Sequence, residues 1–460
     1  DVGLWIGGGN DSAPNTYKTA MELAERTLQE QQPINRFLLL KCPWCGTNLL
    51  PKNQTDDRRK YGFEASATEF RLRCPSTKCV FVDRLPVQVV DEGLYEQPPA
   101  ILLGTIDKFA RLPWEQRARS FFGFSSSLNP LKFKPPDLVI QDELHLISGP
   151  LGTIAAIYEA GMDVLSVSAG GSPKYIAATA TIRGAADQAW RLYARSVFIF
   201  PAPGIGAEDS YFMSIGGEGV LSRKYIGVMG LGHTPVTSSV HCMAAMLDGA
   251  QRVSDGDEYW TLVAYHNSRR ELGKTMTLAR DDVPGRIKVI TTDSLDTRKC
   301  ENIVELSANI PNYRIPEVIL EAGYLRNSGN AIDVLACTSM ISVGVDIPRL
   351  NYIIVIGQPK TTSEYIQATS RVGRKRGAAG IVVTNCVATK PRDRAHFENF
   401  RRYHESIYRW VEPSSITPDS PQALDRALHA VIIMVVRLCY LNGPEDAKKF
   451  TTQDLRINEL

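Results

Sequence analysis

No run of apolar residues in this chain approaches the length of a bilayer span. The most apolar stretch, Ala430 to Val436, ends after seven residues at Arg437, against about 20 for a membrane helix. Charge of one sign is equally lacking: 52 Lys and Arg face 50 Asp and Glu, a formal +2, so a nucleic-acid surface has to be a local groove and not a global basic field. Cysteine is scarce. Four of the nine cysteines stand in two close pairs and five are scattered, which fits a reducing cytoplasm with one metal site better than a disulfide framework. No secretory signal opens the chain, and it begins at Asp1 and not at Met, so further residues are expected upstream. Solenoid repeats and low-complexity tracts are missing as well.

What is present is ordinary globular material, 43% hydrophobic and 22% charged over 460 residues, which suits two domains with extras. Short β-branched runs alternate with helical stretches in two series, the pattern of parallel sheets with crossover helices. The first series is Ala100 to Gly104, Asp137 to Gln141, Tyr175 to Thr179 and Val197 to Phe200. The second is Trp260 to Tyr265, Ile287 to Thr291, Asp333 to Ala336, Tyr352 to Ile356 and Gly380 to Val383. An α/β fold with a first domain at 1–203, a Gly-rich connection at 204–258, a second domain at 259–390 and a helical extension at 391–460 is therefore predicted. The extension carries Phe397, Arg401, Arg402, Tyr403, Tyr408 and Trp410.

The segment Leu138 to His145 is an apolar strand running into two adjacent carboxylates, where the carboxyl ends of parallel strands open into a ligand crevice. An ATPase needs one carboxylate to hold Mg²⁺ through its water shell and another to orient and deprotonate the attacking water. Asp142 suits the first role and Glu143 the second, although the pair alone is equally compatible with a solvated loop. Tyr175 to Thr181 is a second buried strand ending in hydroxyls, and Thr179 and Thr181 can bond the carboxylate and His145. In Gln367 to Arg374, two guanidiniums three residues apart are predicted to share a helical face with Gln367. Their donor forks suit a γ-phosphate whose charge spreads in the transition state, which makes Arg371 and Arg374 candidate arginine fingers. Cys337 to Pro348 links a strand to a turn, with Thr338 and Ser339 hydroxyls for a nucleic-acid phosphate, Gly344 for a tight backbone and Asp346 to sense the nucleotide.

In this order, Asp-Glu-Leu-His, Thr-Ala-Thr, Thr-Ser-(x)₄-Gly-Val-Asp and Gln-(x)₃-Arg-(x)₂-Arg resemble motifs II, III, V and VI of superfamily 2 helicases. Ala264 to Leu272 is similar to motif IV, which implies backbone contacts for Asn267 and Arg269. Leu103 to Phe109 is similar to motif Ib, which implies phosphate contacts for Thr105 and Lys108. The resemblance covers about residues 100 to 385. It implies two RecA-like domains facing across a cleft, with ATP and Mg²⁺ between them and a nucleic-acid strand over the opposite rim. Within the superfamily, the DELH box, the paired cysteines and the run Met340 to Asp346 are most similar to the DrmA family, the helicase component of DISARM anti-phage systems. That likeness implies DNA, single-stranded or with a single-stranded end, and a DrmB-like protein partner. The rivals are a nucleic-acid scaffold without ATPase activity and a related motor in restriction or repair.

The phosphate loop G-x-x-x-x-G-K-[ST] occurs nowhere in these residues, so the polypeptide alone is expected to bind ATP poorly. Ser268 to Thr275 comes nearest, but Ser replaces the first Gly and the string falls in a predicted helix; Gly7-Gly8-Gly9 lacks the lysine. Cys42-x₂-Cys45 and Cys74-x₄-Cys79 offer four thiolates from two knuckle-like turns, the tetrahedral set of a structural Zn²⁺ in an insert at about 41–80. Two disulfides are the alternative. The flanking Lys52, Arg58, Arg59, Lys60, Arg71 and Arg73 are either an extension of a nucleic-acid track or a solvated basic loop.

Overall fold

The computed structural model of the chain describes residues 1–6, 13–125, 133–179, 184–202, 211, 222–253, 256–291, 297–342, 346–375 and 378–441. They divide into two compact units. The first gathers the described residues of 1–179, 184–197 and 414–441, the second those of 198–413.

In the first unit the strands are β1 (Val2–Trp5), β2 (Phe63–Ala65), β3 (Phe70–Leu72), β4 (Val87–Gln88), β5 (Ile101–Gly104), β6 (Leu138–Gln141) and β7 (Lys174–Ala177). β4, β1 and β5 pair in parallel in that order, β6 and β7 form a second parallel pair with Gln141 opposite Ala177, and β2 with β3 makes an antiparallel hairpin. Trp5 is fully buried in a core with Leu94, Leu112 and Phe122. The outward faces of β5, β6 and β7 leave Ile101, Leu103, Leu138, Ile140 and Ile176 exposed. The helix Gly149–Ser168 packs against the helix Pro421–Val435, and a Cβ on Gly161 would lie 2.3 Å from Met434 Cε and 2.6 Å from Val431 Cγ1. That close approach, together with the buried Arg119 donating to Leu441 O at 2.9 Å, ties residues 421–441 to the first unit. The sequence predicts a helical extension behind the second domain; the apolar face Ala423, Ala427, Val431 and Met434 finds its cover in the first unit instead.

The second unit is built on β8 (Lys224–Met229), β9 (Leu262–His266), β10 (Ile303–Leu306), β11 (Val334–Cys337), β12 (Tyr352–Ile356) and β13 (Ile381–Cys386). They form one parallel sheet in the order β10-β11-β9-β12-β13-β8. β9 and β11 are buried along their whole length, as expected of strands covered on both faces. Helix starts follow local chemistry: Ser268 Oγ accepts from Glu271 N ahead of the helix Arg269–Arg280, and Thr361 Oγ1 accepts from Glu364 N ahead of Thr362–Thr369.

Three expectations shift. β8 and the helix Pro235–Arg252 lie inside the segment read as a connection, where glycines masked the strand signal. Ile287 to Thr291, expected as a strand, falls mostly in the helix Asp282–Ile290, whose Val283 and Ile287 are buried four residues apart, and β10 takes the sheet edge. Val197 to Phe200 forms no strand, and Phe198 and Phe200 are exposed.

Candidate functional site

The acidic motif sits directly on the end of β6. Ala178 N donates to Gln141 O and Leu144 N to Ala178 O, both at 2.9 Å, so pairing with β7 continues past the strands and locks the turn between them. Glu143 adopts a left-handed backbone, φ 51°, rare for a residue with a side chain and a mark of an over-determined turn. Its amide donates to Asp142 Oδ1 at 2.9 Å. His145 Nδ1 lies 3.4 Å from Glu143 Oε2 and 3.3 Å from Thr179 Oγ1. Asp142, Glu143, His145 and Thr179 are thus brought together, with Asp142 exposed; Thr181 lies outside the described residues. Two adjacent carboxylates at an open strand end are the hard oxygen donors that suit a hydrated Mg²⁺.

Two supports of this turn belong to no motif. The buried Gln188 donates through Nε2 to Leu144 O at 3.1 Å and Ile147 O at 2.8 Å, and Tyr193 OH donates to Gln141 Oε1. Their only signal in the sequence is a polar residue on the apolar side of the short helix Ala185–Tyr193.

In the second unit the arginines are not on a helical face. The helix Thr362–Thr369 ends before them, Gln367 is buried within it, and Arg371 and Arg374 occupy the following turn. Gly373 ends the helical path at φ 67°, and a Cβ there would meet Gly380 Cα at 2.6 Å. The turn is held at the amino ends of the strands: Gly373 N donates to Leu350 O at 3.0 Å, and Arg223 donates to Val372 O at 2.8 Å and Ser370 O at 3.3 Å. Arg223 is a positioning residue that nothing in the sequence pattern marks. Arg374 Nη1 donates to Asp346 Oδ1 at 2.8 Å, which joins motifs V and VI. Gly344 lies outside the described residues.

At the opposite, carboxyl ends of the same parallel sheet stand Thr338 and Ser339 after β11 and Arg269 after β9, with Arg269 donating to Asn309 Oδ1 at 3.1 Å. Asn267 departs from the expectation. Its amide donates inward to Ile356 O at 3.2 Å and Gly357 O at 3.0 Å, tying β9 to β12, and its Oδ1 is buried. Lys108 departs more completely. It is 2% exposed and its ammonium is 2.6 Å from the buried Asp91 carboxylate and 3.2 Å from Ile6 O, an internal ion pair and not a phosphate contact. Thr105 remains exposed at the start of the helix Ile106–Phe109. The Gly273-Lys274-Thr275 string lies within the helix Arg269–Arg280 with Thr275 buried, so it presents no phosphate loop.

The four paired cysteines converge. Their sulfurs all lie within 4.8 Å of one another, with Cys42 to Cys79 at 3.9 Å and Cys45 to Cys74 at 3.5 Å. Zn–S bonds of about 2.3 Å in a tetrahedron put sulfurs about 3.8 Å apart, so the set fits Zn²⁺ and all four positions are protein ligands. Both knuckles are backbone-built: Gly46 N donates to Cys42 O at 2.9 Å with Gly46 at φ 74°, and Ser76 N donates to Cys74 Sγ at 3.4 Å. Hydrogen bonds from Thr47 bring the Cys45 thiol down to about 6, while burial pushes Cys74 up to about 12. The neighbouring basic residues are partly neutralised, Arg59 by Asp57 and Arg71 and Arg73 by Glu64, which weakens their reading as a nucleic-acid track.

Comparison with known proteins follows the same lines. Residues 288–376 match the helicase conserved C-terminal domain. The DISARM protein DrmA of Bacillus paralicheniformis (strain ATCC 9945a / NCIMB 11709 / CD-2) is 35% identical over 515 aligned positions that include all of this chain and 44% of that protein. The chain thus spans less than half the length of that relative. Among solved structures, the DUF1998 helicase MrfA bound to DNA aligns at TM-score 0.53 and 15% identity over 75% of this chain and 40% of its own. Mycobacterium smegmatis helicase Lhr bound to ssDNA and AMP-PNP aligns at TM-score 0.50 and 14% identity over 78% and 42%. These two likenesses concern the fold.

Proposed function

We propose that this chain, 35% identical to DrmA along its whole length and matching the helicase conserved C-terminal domain, is a superfamily 2 helicase and forms part of an ATP-driven DNA motor of anti-phage defence. The observation that carries the reading is the hydrogen-bonded set Asp142, Glu143, His145 and Thr179 at the joined ends of β6 and β7.

Asp142, exposed at the strand end, would hold Mg²⁺ through its water shell, and the bound ion would offset negative charge on the triphosphate. Glu143 orients and deprotonates the attacking water. His145 touches both Glu143 and Thr179, so a change at the carboxylate reaches β7 through one imidazole. In the second unit, Arg371 and Arg374 are assigned to the charge that spreads over the γ-phosphate, with Asp346 holding Arg374 until then. Thr338, Ser339 and Arg269 are assigned to the phosphates of a DNA strand and Thr105 to a further phosphate, contacts that position without reading sequence. The four-cysteine site is assigned a structural Zn²⁺. A DrmB-like partner and a cytoplasmic location complete the reading and rest on the likeness to DrmA.

Glu143→Gln tests it. In a polypeptide that includes a phosphate-binding loop, the substitution is expected to abolish DNA-stimulated ATP turnover, a loss of at least about 100-fold, while DNA affinity stays at the parental level. Turnover at the parental rate would refute the assignment.

A further inference from the structure

Beyond β13 the chain folds into the helices Pro391–Glu398 and Phe400–Glu405 and the turn Ile407–Trp410, none of which the motifs above use. They line an open pocket of about 290 Å³ bordered by Ala395, His396, Asn399, Arg402, Tyr403 and Trp410. That volume sits at the lower edge of small-ligand sites, about 300 to 1,000 Å³, so it admits a flat ring system and not a folded segment.

The lining is specific in chemistry. Trp410 is 48% exposed although its Nε1 already donates to Ser406 Oγ at 3.2 Å, so the indole offers mainly its ring surface. The His396 ring stands edge-on to Tyr403 at 4.6 Å between centroids, and burial keeps its pKa below the ordinary histidine value. Arg402 is exposed and forms no ion pair among the described residues, whereas Arg394 and Arg401 on the same helices are matched to Glu398 and Glu405. Asn399 Nδ2 donates to Ala395 O at 3.0 Å, which leaves its Oδ1 as an acceptor.

We propose that this pocket binds an unpaired nucleotide of a DNA strand, its base stacked on Trp410 and its phosphate on Arg402. The inference rests on the motor reading above and adds to it a site outside the helicase motifs. An exposed aromatic surface beside one unmatched guanidinium is the pairing by which single strands are held without sequence preference, base on ring and phosphate on cation. An acidic peptide would call for several free cations, and Arg402 is the one guanidinium in the lining.

The pocket also has a connection to the arginine turn. Tyr403 OH donates to Thr362 Oγ1 at 3.3 Å. Glu412, two residues beyond Trp410, accepts from Thr362 N at 2.9 Å and Thr362 Oγ1 at 3.1 Å. Thr362 opens the helix that leads to Arg371 and Arg374. A nucleotide that seats Trp410 therefore bears on the start of that helix.

The test titrates the full chain with an oligo-dT strand and with an abasic strand of equal length, read by anisotropy of labelled strands and by tryptophan fluorescence. Trp410→Ala is expected to weaken oligo-dT about tenfold, the scale of one lost base stack, and to leave the abasic strand unchanged. Trp410→Phe keeps a stacking ring and is expected to restore most of the affinity. Arg402→Ala is expected to weaken both strands and to lower the slope of log K against log salt by about one. Parental oligo-dT affinity in Trp410→Ala, or equal losses on both strands, overturns the pocket while leaving the motor reading intact. Failure of the parental chain to bind either strand overturns both.

Discussion

Glu159 provides a quantitative handle on the first unit. It lies on the helix Gly149–Ser168, 9% exposed, and its Oε2 has no hydrogen-bond partner among the described residues. Burial, and after it the nearby Asp163 carboxylate, push the Glu159 carboxyl from 4.5 up to about 7. The unfolded chain releases this proton near 4.5, whereas the folded protein keeps it until about 7. Between those values the folded state binds the extra proton, so unfolding free energy falls as pH rises. Each pH unit is worth about 1.4 kcal/mol, so crossing the window costs about 3 kcal/mol, a loss complete above about pH 7 and absent below about 4.5. Gln is close in shape and has no proton to release. Glu159→Gln is therefore expected to match the parent near pH 4.5 and to exceed it by about 3 kcal/mol at about pH 8. Hydrogen exchange of the amides in Gly149–Ser168, followed at about pH 5, 6.5 and 8 after correction for intrinsic rates, measures the opening free energy of this helix directly. Parallel pH curves for the two proteins would refute the reasoning, because they would mean that Glu159 titrates alike when folded and unfolded.

Two further outcomes follow from local geometry. The purified protein is expected to carry about one zinc per chain by elemental analysis; Cys74→Ser should lose the metal, and with it on the order of 10 kcal/mol of metal-binding free energy, while Cys300→Ser, a buried thiol outside the cluster, should retain it. Gly373→Ala is expected to destabilise the second unit by about 2 to 4 kcal/mol, from the positive φ and the contact with Gly380, whereas Gly249→Ala, in the helix Pro235–Arg252 with open space around it, should stabilise by about 0.5 to 1 kcal/mol; urea unfolding of the two variants compares them.

The acidic motif, the arginine motif and the cysteine quartet were legible from local spacing because each packs its chemistry into a few consecutive residues or two short turns. Most of the second sheet was legible for a related reason: strands buried on both faces, such as Tyr352 to Ile356, are unbroken apolar runs. Ile287 to Thr291 shows where that signal fails, since a short β-branched run reads alike as a strand and as the buried side of a helix. Lys108 and Asn267 fail differently. A motif states which residue type stands at a position, but whether an ammonium or an amide faces solvent depends on partners far along the chain, Asp91 and Asn15 for Lys108 and the carbonyls of Ile356 and Gly357 for Asn267.

Spacing alone, then, determined the inventory: two parallel-sheet units, a pair of carboxylates on a strand end, a pair of guanidiniums three residues apart and four close-set thiols. Tertiary structure decided the rest. It returned the helix Pro421–Val435 to the first unit, set Arg374 on Asp346, placed Gln188 and Arg223 under the two candidate turns and shaped an open pocket beside Trp410. The physical reason is the range of the interactions. Periodicity and turn chemistry act over a few residues and are written locally, while hydrogen bonds and ion pairs between distant residues exist only after folding has brought their partners within about 3 Å.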